Sequence, residues 1–343
     1  MGGGFGRRSY LDFVKEALQI AQLSGHPVQL VWSREDDMRN DYYRPASQAR
    51  FRAGLDEEGR VTSWRVKRVG PNLASYMFEE MASLAPAMLP DGFVRWASRQ
   101  GHRIYESWTV DKFSVEGLFE DYDIPHADIH HVTVDPGLRT GFWRSVGHSI
   151  GGFFKEGFMD ELAHAGGHDP VQFRLDHLAA DSRMRPVLEQ VARDANWGSP
   201  PAGRFHGVAL HTSFGSAVAQ VAEVSVENGS IQVHRVYCAI DCGLAVNPAV
   251  VKSQMESGIN YGLTAALYGR IDLDDGAVRQ GNFHDYPVLR LPDAPEVQVS
   301  IMPSDSHPTG VGEPGLPPLA AAVGNAIFAA TGQRLRSLPF DLG

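Results

Sequence analysis

The chain has 343 residues, of which 43% are hydrophobic and 21% charged, a balance typical of a globular protein large enough for two packed domains. A formal net charge of -10 excludes the basic surface expected of a nucleic-acid-binding protein. The two cysteines are too few for a disulfide scaffold or an iron-sulfur cluster, so we expect Cys238 and Cys242 to pack in the core.

A glycine-rich loop, Gly2 to Arg8, opens the chain and runs into a predicted helix, Ser9 to Leu23. Successive glycines let backbone N–H groups approach a ligand oxygen closely, and the two arginines beside them suit an anionic group. The loop has neither the ending nor the spacing of the common nucleotide-binding loops. Ser9 and Asp12 predict a capping box at the start of the helix, and Gly25 predicts its end.

Short extended segments follow this helix. A strand is predicted over Val28 to Trp32, and the acidic run Arg34 to Asp37 is interpreted as capping a turn. Arg50 to Leu55 and Val61 to Val69 predict a β-hairpin. The stretch from Tyr76 to Arg103 is irregular and rich in Met, Leu and Pro, which favours loosely packed core over the lining of a substrate channel.

Histidines are densest between His126 and His131, where an aspartate, Asp128, also lies. These residue types bind zinc, but a strand over His131 to Val134 would place neighbouring side chains on opposite faces. We therefore predict that this cluster is not a zinc site.

The second half of the chain is predicted to contain both helices and strands. The Gly/Pro stretch 198–203 marks a domain boundary, which divides the chain into residues 1–198 and 204–343. Asn228-Gly229 and Asp275-Gly276 predict hairpin turns. Because strands and helices do not alternate regularly, we predict an α+β fold with two mixed α/β domains. The predicted helices are Ile150 to Ala165, Pro170 to Leu178, Arg185 to Ala195, Pro248 to Tyr268 and Leu319 to Thr331, and the predicted strands are Gly207 to Leu210, Val218 to Val226, Ile231 to Ile240 and Glu296 to Met302.

One carboxylate, Glu313, lies between glycines and prolines in the segment Gly310 to Pro318. Glycine permits backbone conformations closed to other residues and proline fixes φ, so this segment orients the Glu313 side chain. A carboxylate oriented in this way is a candidate general base. The alternative is a capping loop, in which Glu313 only lies near the positive end of the following helix.

Six segments, in this order along nearly the whole chain, resemble the molybdenum-binding subunits of the xanthine dehydrogenase and aldehyde oxidase family. The likeness is to the C-terminal portion of large (beta) subunits of the isoquinoline 1-oxidoreductase type. It implies two molybdopterin-binding domains and oxidation of an aldehyde or an N-heteroaromatic compound with water as the oxygen source. The segments are Gly2 to Arg8, Trp32 to Met38, Gly141 to Gly147, Asp241 to Pro248, Gln254 to Gly258 and Gly310 to Pro318.

The resemblance also implies a role for individual residues. Glu313 matches the glutamate that takes a proton from a metal-bound hydroxyl, and the metal is held through the pterin, so no side chain is predicted as a direct ligand. Ser257 stands where many relatives have glycine. His211, in a predicted glycine-containing bend, is a further candidate to face the cofactor. The residues that match cofactor-binding positions are Gly3, Gly4, Phe5, Gly6, Arg144, Ser145, Gln254 and Gly312.

Two of these residues have plainer interpretations. Arg144 follows Phe142 and Trp143, and an arginine beside aromatic residues is often a stacking or ion-pairing residue of the surface. Gln254 lies in a predicted helix, where a single glutamine is ordinarily a solvated position. The residues alone leave both alternatives open.

The implied cofactor is molybdopterin cytosine dinucleotide with molybdenum, and the implied partner is a small subunit that carries iron-sulfur clusters. A Met-Gly-Gln-Gly type motif, which belongs to the N-terminal half of such large subunits, does not occur in this chain. We therefore expect that half on another chain. The sequence supports a catalytic molybdenum hydroxylase subunit that is active in assembly; the alternative is a truncated, non-catalytic structural or interaction half.

Two expectations concern location. No apolar run reaches the roughly 18 to 20 residues that a membrane helix needs, so we expect no direct membrane insertion. The chain opens with glycines and arginines rather than with a signal peptide, which favours the cytoplasm. A leader on a separate N-terminal part would instead place the protein in the periplasm.

Overall fold

Two mixed β-sheets and the helices packed on them form the fold. The structure is a computed structural model that describes residues 4–73, 90, 92–94, 96, 97, 100, 101, 104, 110–134 and 137–343. Gly3 and most of the stretch 76–103 lie outside the described residues. The predicted α+β class is confirmed.

The described helices and strands have the following bounds. The helices are α1 (Asp12–Ser24), α2 (Arg34–Asn40), α3 (Lys112–Val115), α4 (His148–Gly166), α5 (Pro170–His177), α6 (Met184–Asp194), α7 (Pro248–Leu267) and α8 (Leu319–Thr331). The strands are β1 (Gln48–Leu55), β2 (Val61–Gly70), β3 (His126–Thr133), β4 (Phe205–Ser213), β5 (Ser216–Glu227), β6 (Ser230–Asp241), β7 (Leu273–Asp274), β8 (Ala277–Val278) and β9 (Glu296–Ile301). Short 3-10 turns occupy Arg7–Ser9 and Leu291–Asp293.

The first sheet has the strand order β1-β2-β3 and the second has the order β4-β5-β6-β9. In each sheet the last pair, β2 with β3 and β6 with β9, is parallel, whereas the other pairs are antiparallel. Asn228 and Gly229 both have positive φ in the turn between β5 and β6, as the predicted hairpin requires. Asp275 and Gly276 likewise have positive φ, in the turn between β7 and β8.

Both faces of the second sheet are buried, so that sheet separates two hydrophobic cores. Because side chains alternate along a strand, Ala217, Ala219 and Val221 of β5 face α4 and α6, and Val218 and Ala222 face α7 and α8. The sheet therefore brings together elements that lie far apart in the sequence. The predicted boundary near 198–203 stays a prediction, and the first core contains residues from both sides of it.

Most predicted elements are confirmed to within a few residues, but the strand over Val28 to Trp32 is wrong. That segment has no β-ladder, and its Val31 side chain is 77% exposed. Trp32 instead donates its indole N–H to Glu16 of α1, at 3.1 Å. An apolar run makes a strand only where a neighbouring strand accepts its hydrogen bonds.

Two local predictions about helix starts are also wrong. Ser9 and Asp12 form no capping box, since α1 has Leu11 at its N-cap and Asp12 is held by Arg7 at 2.8 Å. The acidic run after Ser33 is not a turn cap but the first turn of α2. There, Asp36 and Ser33 form a reciprocal capping box.

The two cysteines are confirmed as core residues, each with an exposed fraction of 1%. His126, His130 and His131 lie on β3, which extends further toward the N-terminus than predicted. Across the part of the chain that the structure describes, no helix is both long and apolar enough to traverse a bilayer.

Candidate functional site

The glycine-rich loop is fixed against the segment that contains Phe142. Phe5 and Gly6 have φ values of 47° and 103°, in the region that favours glycine. A Cβ added at Gly6 would lie 2.0 Å from the Phe142 carbonyl oxygen. The close approach of the two backbones therefore requires glycine at position 6.

The Phe142 segment ends in a second left-handed loop, directly before α4. Ser145 and Val146 have φ values of 70° and 51°, and a β-branched residue such as Val146 rarely adopts this conformation. Gly147 follows, and a Cβ there would lie 1.8 Å from the carbonyl oxygen of Phe113. Strained backbone of this kind concentrates at functional sites because the surrounding structure must hold it in place.

Arg144 joins this loop to two other predicted segments. Its Nε donates to the Gly312 carbonyl at 2.9 Å, its Nη1 donates to Ser257 Oγ at 2.9 Å, and its Nη2 donates to Gln254 Oε1 at 3.2 Å. Only 4% of Arg144 is exposed, so its interpretation as a surface residue is wrong. Burial lowers its pKa, while Tyr261 and the carboxylate of Glu313 oppose that shift.

Glu313 faces the same loop. It is half-buried, and its Oε2 accepts the backbone N–H of Ser145 at 2.6 Å. Glu313 makes no side-chain cap of α8, whose N-cap is Pro318. The Glu313 carboxylate therefore lies at the Ser145 amide and close enough to Arg144 to interact with its charge.

The site has room and hydrogen-bond donors for an oxygen-rich group. A Cβ added at Gly312 would find no atom nearer than Gln254 Oε1, at 4.0 Å. The amide NH2 of Gln254 has no hydrogen-bond partner among the described residues, although its carbonyl oxygen binds Arg144. These residues fit a cofactor that accepts hydrogen bonds through carbonyl or phosphate oxygens.

Tyr261 is a site residue that the sequence reasoning missed. Its ring centroid lies 4.7 Å from that of Phe5 and 5.0 Å from that of Trp143. Burial raises its pKa to about 12. Tyr261 follows Gln254 and Ser257 at positions i+7 and i+4 on α7, and this helical spacing was the signal that places all three on one face.

A second acidic residue, Glu116, packs beside Gly147 of the same loop and was also missed. Burial raises its pKa to about 7, with smaller contributions from Glu120, Asp111 and Glu313. Its Oε2 lies 3.7 Å from Nε2 of His148, the second residue after Val146.

His211 contacts a second histidine, His148. It lies within β4 rather than in a bend, with an exposed fraction of 0%, and its Nε2 lies 2.9 Å from Nδ1 of His148. Burial lowers the pKa of both rings, to about 4 for His148. Gly117 packs against the His211 ring, since a Cβ added at Gly117 would lie 2.4 Å from Cε1 of that ring.

Trp143 and Tyr261 also line an open cavity of about 2020 Å³. Arg44 lies against it, with its guanidinium 4.1 Å from the centre of the Trp143 ring. Burial lowers the pKa of Arg44 to about 10. The cavity exceeds the about 300 to 1,000 Å³ of typical small-molecule sites.

Comparisons with known proteins relate the chain to molybdopterin-binding proteins. Residues 1–90 and 163–295 each match a family model described as a molybdopterin cofactor-binding domain. The isoquinoline 1-oxidoreductase subunit beta of Brevundimonas diminuta is 32% identical over 346 residues, which cover 99% of this chain and 42% of that protein. The membrane-bound aldehyde dehydrogenase (pyrroloquinoline-quinone) of Gluconacetobacter polyoxogenes is 31% identical over 363 residues, covering 99% of this chain and 45% of that protein.

The fold agrees as well. The crystal structure of quinoline 2-oxidoreductase from Pseudomonas putida 86 matches 99% of this chain and 66% of its own, with a TM-score of 0.79 at 13% sequence identity. The chain spans less than half the length of the two curated relatives.

Proposed function

This chain belongs to the molybdenum-binding subunits of the xanthine dehydrogenase and aldehyde oxidase family, and we propose that it is the catalytic part of a molybdenum hydroxylase. The proposed substrate is an aldehyde or an N-heteroaromatic compound, with water as the oxygen source. The names of the two curated relatives support these two substrate classes.

The convergence of three remote segments, 141–147, 254–258 and 310–318, around Glu313 and Arg144 is the observation that carries this proposal. The Ser145 amide binds the carboxylate, and Arg144 ties that loop to Gly312 and to Gln254. A carboxylate fixed by a backbone amide keeps one orientation and is available to take up a proton.

The proposed cofactor is molybdopterin cytosine dinucleotide with molybdenum, which supplies the redox chemistry when it is bound. Gln254 would hold it through the free amide NH2, and Gly4, Phe5 and Gly6 would approach it through their backbone. Glu313 takes the proton of the water that provides the oxygen atom.

Two partners are proposed. A small iron-sulfur subunit would receive the electrons, since this chain has two cysteines and both are buried. A further polypeptide segment would complete the cofactor site. The size of the cavity beside Trp143, which suits a polypeptide segment better than a small molecule, supports this second partner.

The Glu313→Gln variant tests the proposal. The assembly obtained by co-expression with the neighbouring genes is assayed with aldehydes and N-heterocycles, and its molybdenum is measured by elemental analysis. We expect turnover to fall by about 10² to 10⁴-fold, because an amide cannot accept the proton, while molybdenum content stays at the wild-type level.

The matched control is Glu227→Gln, an exposed glutamate at the end of β5. It should retain wild-type turnover. Full activity in the Glu313→Gln variant would contradict the proposed role of Glu313 as the base that takes up the proton. Absence of molybdenum from every assembly would favour the alternative function, a structural or interaction half without catalysis.

A further inference from the structure

Two polar side chains interrupt the apolar face that β5 turns toward α7 and α8. Val218 and Ala222 of that face belong to the second core, and Ser216 and Gln220 share the face because side chains alternate along a strand. Both polar residues are completely buried, with exposed fractions of 0%. Buried polar groups cost free energy unless hydrogen bonds compensate, so the partners of these two residues indicate what they do.

Gln220 holds one end of the segment that carries Glu313. Its Nε2 donates to the Gly315 carbonyl at 2.7 Å. The NH2 group must point at Gly315, because the opposite orientation of the amide would set two carbonyl oxygens against each other. The Oε1 of Gln220 is then buried without a hydrogen-bond partner among the described residues. A buried carbonyl without a donor lowers stability, so we infer that this side chain serves the Gly315 contact rather than the core.

Ser216 holds the other end of the same segment. Its Oγ donates to the Gly310 carbonyl at 2.6 Å, which uses its single proton. Thr309 Oγ1 lies 2.7 Å from Ser216 Oγ and therefore donates to it. The backbone N–H of Gly310 donates to the Phe214 carbonyl at 3.0 Å. Gly310 is thus fixed through both of its backbone polar groups.

Helix α7 restricts the segment at Gly315. A Cβ added at Gly315 would lie 3.1 Å from Met255 Cα, and a Cβ added at Gly258 would lie 3.1 Å from the Gly315 carbonyl carbon. The backbone of the segment therefore packs directly on the helix and has no room to move toward it.

Glu313 lies between the two held glycines, three residues after Gly310 and two before Gly315. Its backbone carbonyl accepts the N–H of Leu316 at 3.1 Å, and its carboxylate accepts the N–H of Ser145 at 2.6 Å. A hydrogen bond weakens steeply when its geometry changes, so a small shift of the backbone would separate the carboxylate from this amide. The contacts that hold Gly310 and Gly315 therefore help to set where the carboxylate lies.

We propose that Gln220 and Ser216 are positioning residues for Glu313. From β5 they hold the backbone on both sides of Glu313 and so keep its carboxylate at the Ser145 amide. For its effect on turnover, this inference rests on the proposed function, in which Glu313 is the base. The position of the carboxylate is a property of the fold and can be measured without turnover.

The Gln220→Met variant tests the proposal, since methionine is also long and unbranched but donates no hydrogen bond. The co-expressed assembly is transferred to deuterated water, and exchange of the Ser145 amide is followed by mass spectrometry with fragmentation that resolves single amides. Glu313→Ala is the reference, because it removes the acceptor of that amide. We expect Ser145 to exchange about tenfold faster in both variants than in the wild type.

Ser216→Ala is a second and smaller change, which should also speed exchange at Ser145. The matched control is Ser225→Ala, which removes a hydrogen bond of the same strand, between Ser225 Oγ and His234 Nε2 at 2.7 Å. This control should leave exchange at Ser145 at the wild-type rate, even if it lowers the melting temperature. A purely structural role of Gln220 and Ser216 would lower the melting temperature without a specific change at Ser145.

In turnover, Gln220→Met should lower kcat by about 10- to 10²-fold and leave KM near the wild-type value, because a displaced base slows proton uptake without touching the substrate. A wild-type exchange rate at Ser145 in Gln220→Met would overturn the proposal, and Ser216→Ala decides in the same way if Gln220→Met does not assemble. If Ser145 exchanges faster while Glu313→Gln remains fully active, the proposed function fails and the positioning role stands.

Discussion

At the scale of single residues, Arg144 organises the site. One guanidinium group reaches a backbone carbonyl, a hydroxyl and a side-chain amide, which belong to two different segments of the chain. Its planar fork can satisfy these acceptors together, whereas the single ammonium group of a lysine cannot.

The Arg144→Lys variant should therefore be less stable by about 1 to 3 kcal/mol, because at least one buried acceptor loses its donor. Chemical denaturation of the two proteins measures this difference. Arg336→Lys is the matched control, since Arg336 pairs with Glu161 at the surface with 68% of its side chain exposed. Its stability should change by less than about 0.5 kcal/mol. Equal losses of stability in Arg144→Lys and Arg336→Lys would contradict the role of Arg144 in satisfying several buried acceptors.

The sequence predicted which residues meet at this site better than it predicted how they meet. The motifs around Ser145, Gln254 and Glu313 indicated a shared site, and the structure brings them together. The direction of the Arg144 side chain depends on the Gly312 carbonyl and on Ser257, which are remote in sequence. Such a contact has no local signal.

At the scale of elements, the loop before α4 sets the geometry of the site. Ser145 presents its amide to Glu313 only because it adopts a left-handed conformation together with Val146. Gly147 allows this by letting the backbone approach Phe113. Local glycine and proline patterns indicate that such a loop exists, but the strain in it is held by tertiary contacts that the sequence does not display.

Two glycines of this region should respond to substitution in opposite ways. Gly147→Ala places a methyl group 1.8 Å from a backbone oxygen, so it should lower the free energy of unfolding by more than about 2 kcal/mol. Gly157→Ala lies in α4, where an added Cβ has no neighbour within 4 Å, and it should raise that free energy by about 0.5 to 1 kcal/mol. Thermal and chemical unfolding of both variants measure the sign of each change in the free energy of unfolding. An unchanged free energy in Gly147→Ala would contradict the close packing of Gly147 against the Phe113 carbonyl.

Strand predictions succeeded or failed according to whether a partner strand exists. The apolar run of β5 is buried on both faces between β4 and β6, and it was predicted correctly. Val28 to Trp32 carries a similar local pattern but has no β-ladder. Pairing is decided by the whole sheet, so a single segment cannot specify it.

At the scale of the whole molecule, the two sides of the structure differ in how well they are packed. The second sheet is covered on both faces, whereas α1 has no buried residue. Large apolar side chains of α1 are left exposed, with Leu18 at 65% and Leu23 at 88%. Val31, just beyond the helix, is 77% exposed.

An apolar surface of this kind should make the chain associate when it is produced alone, because exposed contiguous apolar area favours burial against another protein. We expect Leu18→Glu combined with Leu23→Glu to shift the protein toward monomer in sedimentation velocity runs at several concentrations. The control is Leu291→Glu, an apolar residue with 90% exposure in a separate 3-10 turn, which should leave the distribution unchanged. A monodisperse wild-type monomer that unfolds cooperatively would show that the α1 surface is not an association surface, and the cavity beside Trp143 would then be the better place to seek the partner chain.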